Sequence, residues 1–262
     1  MVTSMPYVLP RTGELGPPAR VVVTPAGVRY LDPAWDESWR DLDGALWEVR
    51  GGAPTGPPAY TAELHPARQR EAMEGLLCAG CAGPADRGPD GMLWLLPLLG
   101  AGPDTRWEGV RTAIPPMCAA CAEVAPTVCP VLGDGHVELR VWEAELIGVR
   151  GTLHPRPGEP GDPDPDALVL HDTPDLRFVV ARQAVRELCR TTVVSLRAGA
   201  APRSASSFPA VDADRASRRP APVTSSCGRF WTPGPPVAHT WRAGTPPSQP
   251  GRRRGTWMHR RT

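Results

Sequence analysis

The sequence predicts an α+β domain, with short strands and two or three helices around a four-cysteine zinc site, followed by a disordered tail. Three observations predict this. Cysteine occurs in two Cys-x-x-Cys pairs, Cys78/Cys81 and Cys118/Cys121. Apolar and polar residues alternate over short stretches that proline and glycine interrupt, the pattern of half-buried strands. The charge is also divided. The net is +1 for the whole chain, yet residues 201–262 hold 11 Arg against Asp212 and Asp214, a net +9, while residues 1–200 hold 18 Arg against 26 acids, a net −8.

With 34 Pro and 27 Gly among 262 residues, long uninterrupted elements are not expected. Lys and Asn are absent, and Ile occurs only at Ile114 and Ile147. These residues have AT-rich codons, so the bias reflects a GC-rich coding sequence, and Arg in place of Lys is not by itself a sign of phosphate recognition.

We expect a flexible segment over residues 1–17, a zinc-binding domain over 18–197 and a basic Pro/Arg-rich tail over 198–262. Arg20–Thr24 and Gly27–Leu31 read as a hairpin broken at Pro25, and Ala45–Arg50 as a further strand; the acidic stretch DPAWDESWRDLDG between them reads as turn. HPARQREAMEGLLC is a helix with Pro66 in its first turn, and it delivers Cys78. Met92–Leu96 is a strand, Ala119–Thr127 a short helix opened by the second Cys pair, and His136–Leu153 an alternating strand that bends near Gly148. After the HPRPGEPGDPDPD loop, Leu168–Leu170 is a strand. Leu176, Val180, Ala184 and Leu188 recur at helical spacing, so Thr173–Cys189 is expected to be a helix capped by Thr173-Pro174, with Thr192–Leu196 as the closing strand.

Thiolates bind zinc strongly, and four around a tetrahedral ion leave no open position, the arrangement of a structural site. Each Cys-x-x-Cys turn can present two sulfurs to one ion, which makes Cys78, Cys81, Cys118 and Cys121 the candidate ligands. Iron in a rubredoxin-like cage would use the same four. The helix after Cys121 would aim its amino terminus at the anionic sulfurs. Cys129 reads either as a substitute ligand or as packing beneath the site, and Cys189 as core on a helix face. Cys227 lies in the tail.

That tail has isolated Trp residues and no apolar periodicity, so it cannot bury enough surface to offset the entropy of ordering. Its arginines, Arg252, Arg253, Arg254, Arg260 and Arg261 above all, are candidate nucleic-acid contacts through phosphate. A frameshift-like extension of GC-rich DNA would have the same composition. Within the domain, Arg68, Arg70, Arg106 and Arg111 form the other group that could meet phosphate.

The pattern LCAGC–GPADR–DGMLWLL with PPMCAACAEVAPTVCPVL resembles small uncharacterised actinobacterial proteins, some linked to phages or mobile elements, over roughly residues 5–197. The resemblance implies a zinc-bound domain without a known activity. The Cys pairs are also similar to the zinc scaffold of HNH endonucleases. Those enzymes place a catalytic Asp-His between the pairs, whereas no His occurs here from Ala82 to Met117. A diverged HNH-like metal-dependent nuclease would need its base elsewhere, at His65 or His136. No phosphate-binding Gly-rich loop, Gly-x-Ser-x-Gly elbow or dinucleotide fingerprint appears. The prolines of the DPDPD stretch do not suit a calcium loop. We therefore expect an interaction module with a protein or nucleic-acid partner, no small-molecule substrate and no membrane. The start MVTSMPYVLPRTGELG lacks the regions of a signal peptide, no run of about 18 apolar residues occurs, and a cytoplasmic location is expected.

Overall fold

The computed structural model describes residues 6–60, 63–98 and 105–198. In chain order, β1 (Val21–Thr24) and β2 (Gly27–Tyr30) form an antiparallel hairpin. Helix α1 (Pro33–Trp39) follows, then the two-residue β3 (Leu46–Trp47) and α2 (Pro66–Gly75). Next come β4 (Arg87–Gly88), β5 (Gly91–Pro97), β6 (Val110–Thr112), α3 (Ala119–Val128) and the single turn α4 (Pro130–Gly133). Two long strands, β7 (Gly135–Leu153) and β9 (Val179–Ala198), enclose β8 (Asp164–Leu170) and a 3-10 turn at Pro174–Phe178. The fold is α+β and dominated by its sheet. No helix among the described residues is long and apolar enough to cross a membrane.

The sheet is built on one antiparallel ribbon, in which β7 and β9 pair from Gly135↔Ala198 to Leu153↔Val179. One half of the ribbon carries β5 on β7 and β6 on β9; the other half carries β8 on β7 and β3, parallel, on β9. Three register irregularities, beside Leu139, Gly148 and Gly151, let so long a pair twist. The expected bend at Gly148 is one of them. A Cβ there would lie 2.3 Å from the Val169 carbonyl oxygen, so only glycine lets β8 approach. At Arg190 β9 adopts a left-handed conformation, φ 54, and the Glu108 carboxylate pins it by accepting from the amides of Arg190 and Thr191.

The helix expected over Thr173–Cys189 is instead the 3-10 turn and most of β9, and the expected closing strand is that same strand's end. A spacing of four residues satisfies a period of 3.6 and a period of 2 alike. Burial decides between them, for Val185 through Cys189 are buried without a break, as in a strand covered on both faces. Cys189 is therefore buried on a strand. The acidic DPAWDESWRDLDG contains α1, because Asp32 caps it by accepting from the Ala34 amide and Pro33 opens its first turn. The strand expected over Ala45–Arg50 pairs as β3 only at Leu46–Trp47. His136 is 8% exposed and bonded through Nδ1 to the Leu132 carbonyl oxygen.

Two polar side chains join α2 to β9. Gln69 is fully buried; its Nε2 donates to the carbonyls of Ala113 (2.7 Å) and Ala184 (2.9 Å), and its Oε1 accepts from the Ala184 amide (2.8 Å). Arg186 donates from Nε to the Met73 carbonyl (2.8 Å), satisfying the last turn of α2 from the sheet. Apolar clusters fill the space on each side. Trp94, Leu139 and Leu188 lie in one, while Leu95 reaches the cysteines in another, because successive residues of β5 face opposite ways.

The expected flexible segment, residues 1–17, contributes residues 6–17 to the fold. Val8 is buried, the Tyr7 and Val8 amides donate to the carbonyls of Gly80 and Ala79, and Gly16 donates to Gly51. Glu14 receives both terminal nitrogens of Arg68, at 2.8 and 2.7 Å. That hydrogen bonding, outweighing desolvation, lowers the Glu14 carboxyl from 4.5 to about 2. A carboxyl with a depressed folded value adds stability above its unfolded value and loses it as pH falls through the folded one. The pair should therefore stabilise the domain above pH 4.5 and stop doing so as pH falls toward 2. Replacing Glu14 with Gln should lower stability near neutral pH by about 1–3 kcal/mol and flatten the pH dependence across that window, as read by urea unfolding at a series of pH values. An unchanged pH profile would count against this anchor.

Candidate metal centre

The first cysteine pair sits in a narrow turn that begins where α2 ends. Leu76 takes a left-handed conformation, φ 52, and redirects the chain. Leu77 then pairs with Pro84, the Cys78 amide donates to the Gly83 carbonyl (2.7 Å), and the Ala82 amide donates to the Cys78 carbonyl (2.9 Å). The left-handed position inside this turn is Ala82, φ 59, rather than Gly80 or Gly83.

The second pair opens α3. Cys118 is its N-cap residue, and the Ala122 amide donates to the Cys118 carbonyl (3.0 Å). Backbone bonds hold the two turns together. Ala79 donates to Pro116 (2.9 Å), Asp86 to Met117 (2.9 Å), and Met117 to Leu93 of β5 (3.0 Å). Cys129 closes α3 at the far end and stands apart from the four.

The sulfurs of Cys78, Cys81, Cys118 and Cys121 all lie within 4.8 Å of one another. Cys78 and Cys118 are 3.6 Å apart, and Cys81 and Cys118 3.9 Å. A disulfide needs about 2.05 Å, so these thiols are separate; a tetrahedral ion with sulfur ligands at about 2.3 Å requires sulfurs about 3.8 Å apart. The sequence-predicted ligands are thus brought together in an arrangement that can hold one metal ion.

Backbone amides favour the charged form of these sulfurs. The Gly80 amide points at the Cys78 sulfur (3.4 Å), as do those of Cys81 and Cys118. Burial nonetheless dominates at Cys78 and pushes its thiol up. At Cys118 burial is outweighed by the Cys121 amide and by the thiols of Cys121, Cys78 and Cys81, and its thiol is held below the ordinary range. Cys78 and Cys121 are buried, Cys118 is half-buried and Cys81 exposed, so the centre lies at the surface with one sulfur facing solvent.

Other sequence candidates have local partners. His65 is the N-cap of α2, with Nδ1 accepting from the Arg68 amide (3.5 Å) and Nε2 lying 3.7 Å from Glu14. Three of the four domain arginines meet carboxylates: Arg68 on Glu14, Arg70 on Glu74 and Arg111 on Glu187. Arg106 is exposed. Arg252, Arg253, Arg254, Arg260, Arg261 and Cys227 lie outside the described residues. The sequence reading missed the support given by residues 7–8 and 116–117, of which the apolar run Tyr7–Leu9 before Pro10 was the available sign.

If the four thiols act as one ligand set, a divalent metal ion should protect all four from alkylation together, while Cys129, half-buried and outside the set, stays reactive. Mass spectrometry after iodoacetamide treatment, with and without one equivalent of added metal ion, reads this directly. Protection of only two thiols would show that the pairs act separately. No family model, curated protein or solved structure matches the chain.

Proposed function

We propose that this chain is a zinc-stabilised interaction module, in which Cys78, Cys81, Cys118 and Cys121 hold one structural zinc ion. The observation that carries this reading is the set of four sulfurs within 4.8 Å of one another, two of whose separations are 3.6 and 3.9 Å, with backbone amides aimed at the Cys78 sulfur. Four thiolates would fill the coordination sphere, so zinc there would tie α2, β5 and α3 together without presenting an open position for substrate. The thiols call for a compartment in which they stay reduced, and we assign the protein to the cytoplasm on that ground. The partner we propose is nucleic acid, in the phage or mobile-element setting that the sequence resemblance implies. The arginines of residues 201–262 would supply the attraction, since residues 1–200 carry a net −8.

Protein purified without chelator should contain about one zinc per chain by elemental analysis, and Cys81→Ser should lose it together with much of the fold, because binding energy at such a site is folding energy. Less than about half an equivalent of zinc, or iron in its place, would overturn the assignment. Removing residues 199–262 should remove most of the affinity for DNA and leave zinc content unchanged. Binding by the full chain should be independent of sequence and weaken steeply with salt, as counterion release requires. Sequence-selective binding by the shortened chain, measured by gel shift, would transfer the nucleic-acid site to the domain.

A further inference from the structure

The half of the ribbon that carries β8 and β3, away from the cysteines, holds an open cleft of about 420 Å³. Its walls are the β1–β2 hairpin, the loop between α1 and β3, and the segment from His171 to Arg177. Arg29, Arg40 and Arg177 line it with His171, and Asp43 is the one acid among the lining residues. The domain as a whole is acidic, so this local balance runs against its net charge. Arg177 also borders a neighbouring cleft of about 370 Å³ that contains Arg156.

The four arginines are not equivalent. Arg40 is fixed by Asp36 and by the carbonyls of Val28 and Gly44, which take four of its five N–H donors, so it contributes mainly charge. Arg156 is paired with Asp175 at 2.7 Å. Arg29 is exposed, 3.6 Å from an Asp36 that already serves Arg40. Arg177 is exposed and has no carboxylate within ion-pair distance among the described residues. Its backbone, by contrast, is held closely. Gly27 has φ +136, and a Cβ there would lie 2.4 Å from the Arg177 carbonyl oxygen, so the hairpin packs directly on this residue. His171 lies behind these arginines: both ring nitrogens are shielded from solvent and Asp43 stands 3.5 Å from Nδ1, so the imidazole offers no donor that a ligand in the cleft could reach.

We propose that this cleft is a phosphate-binding site, with Arg177 and Arg29 supplying the charge and the donors to the phosphate oxygens. Arginine suits this role because its planar group presents paired donors to a phosphate. The phosphate is either that of a small phosphorylated molecule or that of a nucleic-acid backbone. The site does not depend on whether the cysteines hold zinc, nor on the arginines of the carboxyl-terminal segment.

The test uses the full chain and two probes, pyrophosphate and a twelve-nucleotide oligothymidylate, titrated against wild type, Arg177→Glu and Arg29→Ala. The arginines beyond residue 198 are common to all three proteins, so a difference between them reads the cleft. Arg177 and Arg29 are exposed, and an unchanged melting temperature and metal content without ligand confirm that their variants fold. We expect pyrophosphate to bind wild type and to bind Arg177→Glu at least tenfold more weakly, with a smaller loss for Arg29→Ala. If the oligonucleotide shows a greater Arg177-dependent gain than pyrophosphate, the source is a nucleic-acid backbone; an equal or smaller gain assigns a free phosphorylated ligand. Equal affinity of wild type and Arg177→Glu for both probes, or no binding of either at millimolar concentration, overturns the proposal.

Discussion

The antiparallel pairing of β7 with β9 is the constraint on which the other elements depend. Every further strand of the main sheet except β4 is hydrogen-bonded to one of these two, and β4 reaches them through β5. Neither strand could be buried alone, because each interior residue has a backbone donor and acceptor that need partners. Pairing them along almost their whole length satisfies those groups and leaves two outer edges, which the short strands occupy in halves. The division of the domain into a cysteine-bearing half and a hairpin-bearing half follows from that geometry, without any break in the chain's central ribbon.

Polar joints then set the orientation of what packs on the ribbon. Apolar contact between a helix and a sheet tolerates sliding, whereas the three hydrogen bonds of Gln69 admit one registration of α2 on β9. Arg186 fixes the end of the same helix, where the chain turns into the first cysteine pair. The position of Cys78 is therefore referred to the sheet through directional bonds. On the other side, Met117 is bonded to Leu93, which refers the second pair to β5. The sulfurs converge because two independent attachments to one sheet converge.

The convergence of the four cysteines was legible in the sequence because its signature is local: each pair falls within one turn, and thiols at that spacing have few other uses. The helix at α2 and the bend at Gly148 were legible for the same reason. β9 was not, since its apolar residues at intervals of four match either period, and only the neighbours on both faces select the strand. The joints at Gln69 and Arg186 could not be read at all, because the bonds that tie α2 to β9 through them join residues more than a hundred apart in the chain. His136 opens a strand, which suggests exposure, but α4 folds back over it and the Leu132 carbonyl accepts a hydrogen bond from its Nδ1.

The length of the ribbon also acts as a ruler. Ala198, the last described residue, pairs with Gly135 at one end, whereas the 3-10 turn that carries Arg177 runs into β9 at the other. A strand of this length measures about 60 Å at ~3.3 Å per residue, so the point from which the arginine-rich segment departs and the cationic cleft are far apart along the molecule. Under the proposed phosphate reading, a polymer held in the cleft would have to run about 60 Å along the ribbon to pass the point where β9 ends, whereas a single phosphate group in the cleft would not approach that end. The ribbon would then sort ligands by length, favouring a polymer through the effective concentration that its first contact sets for a second.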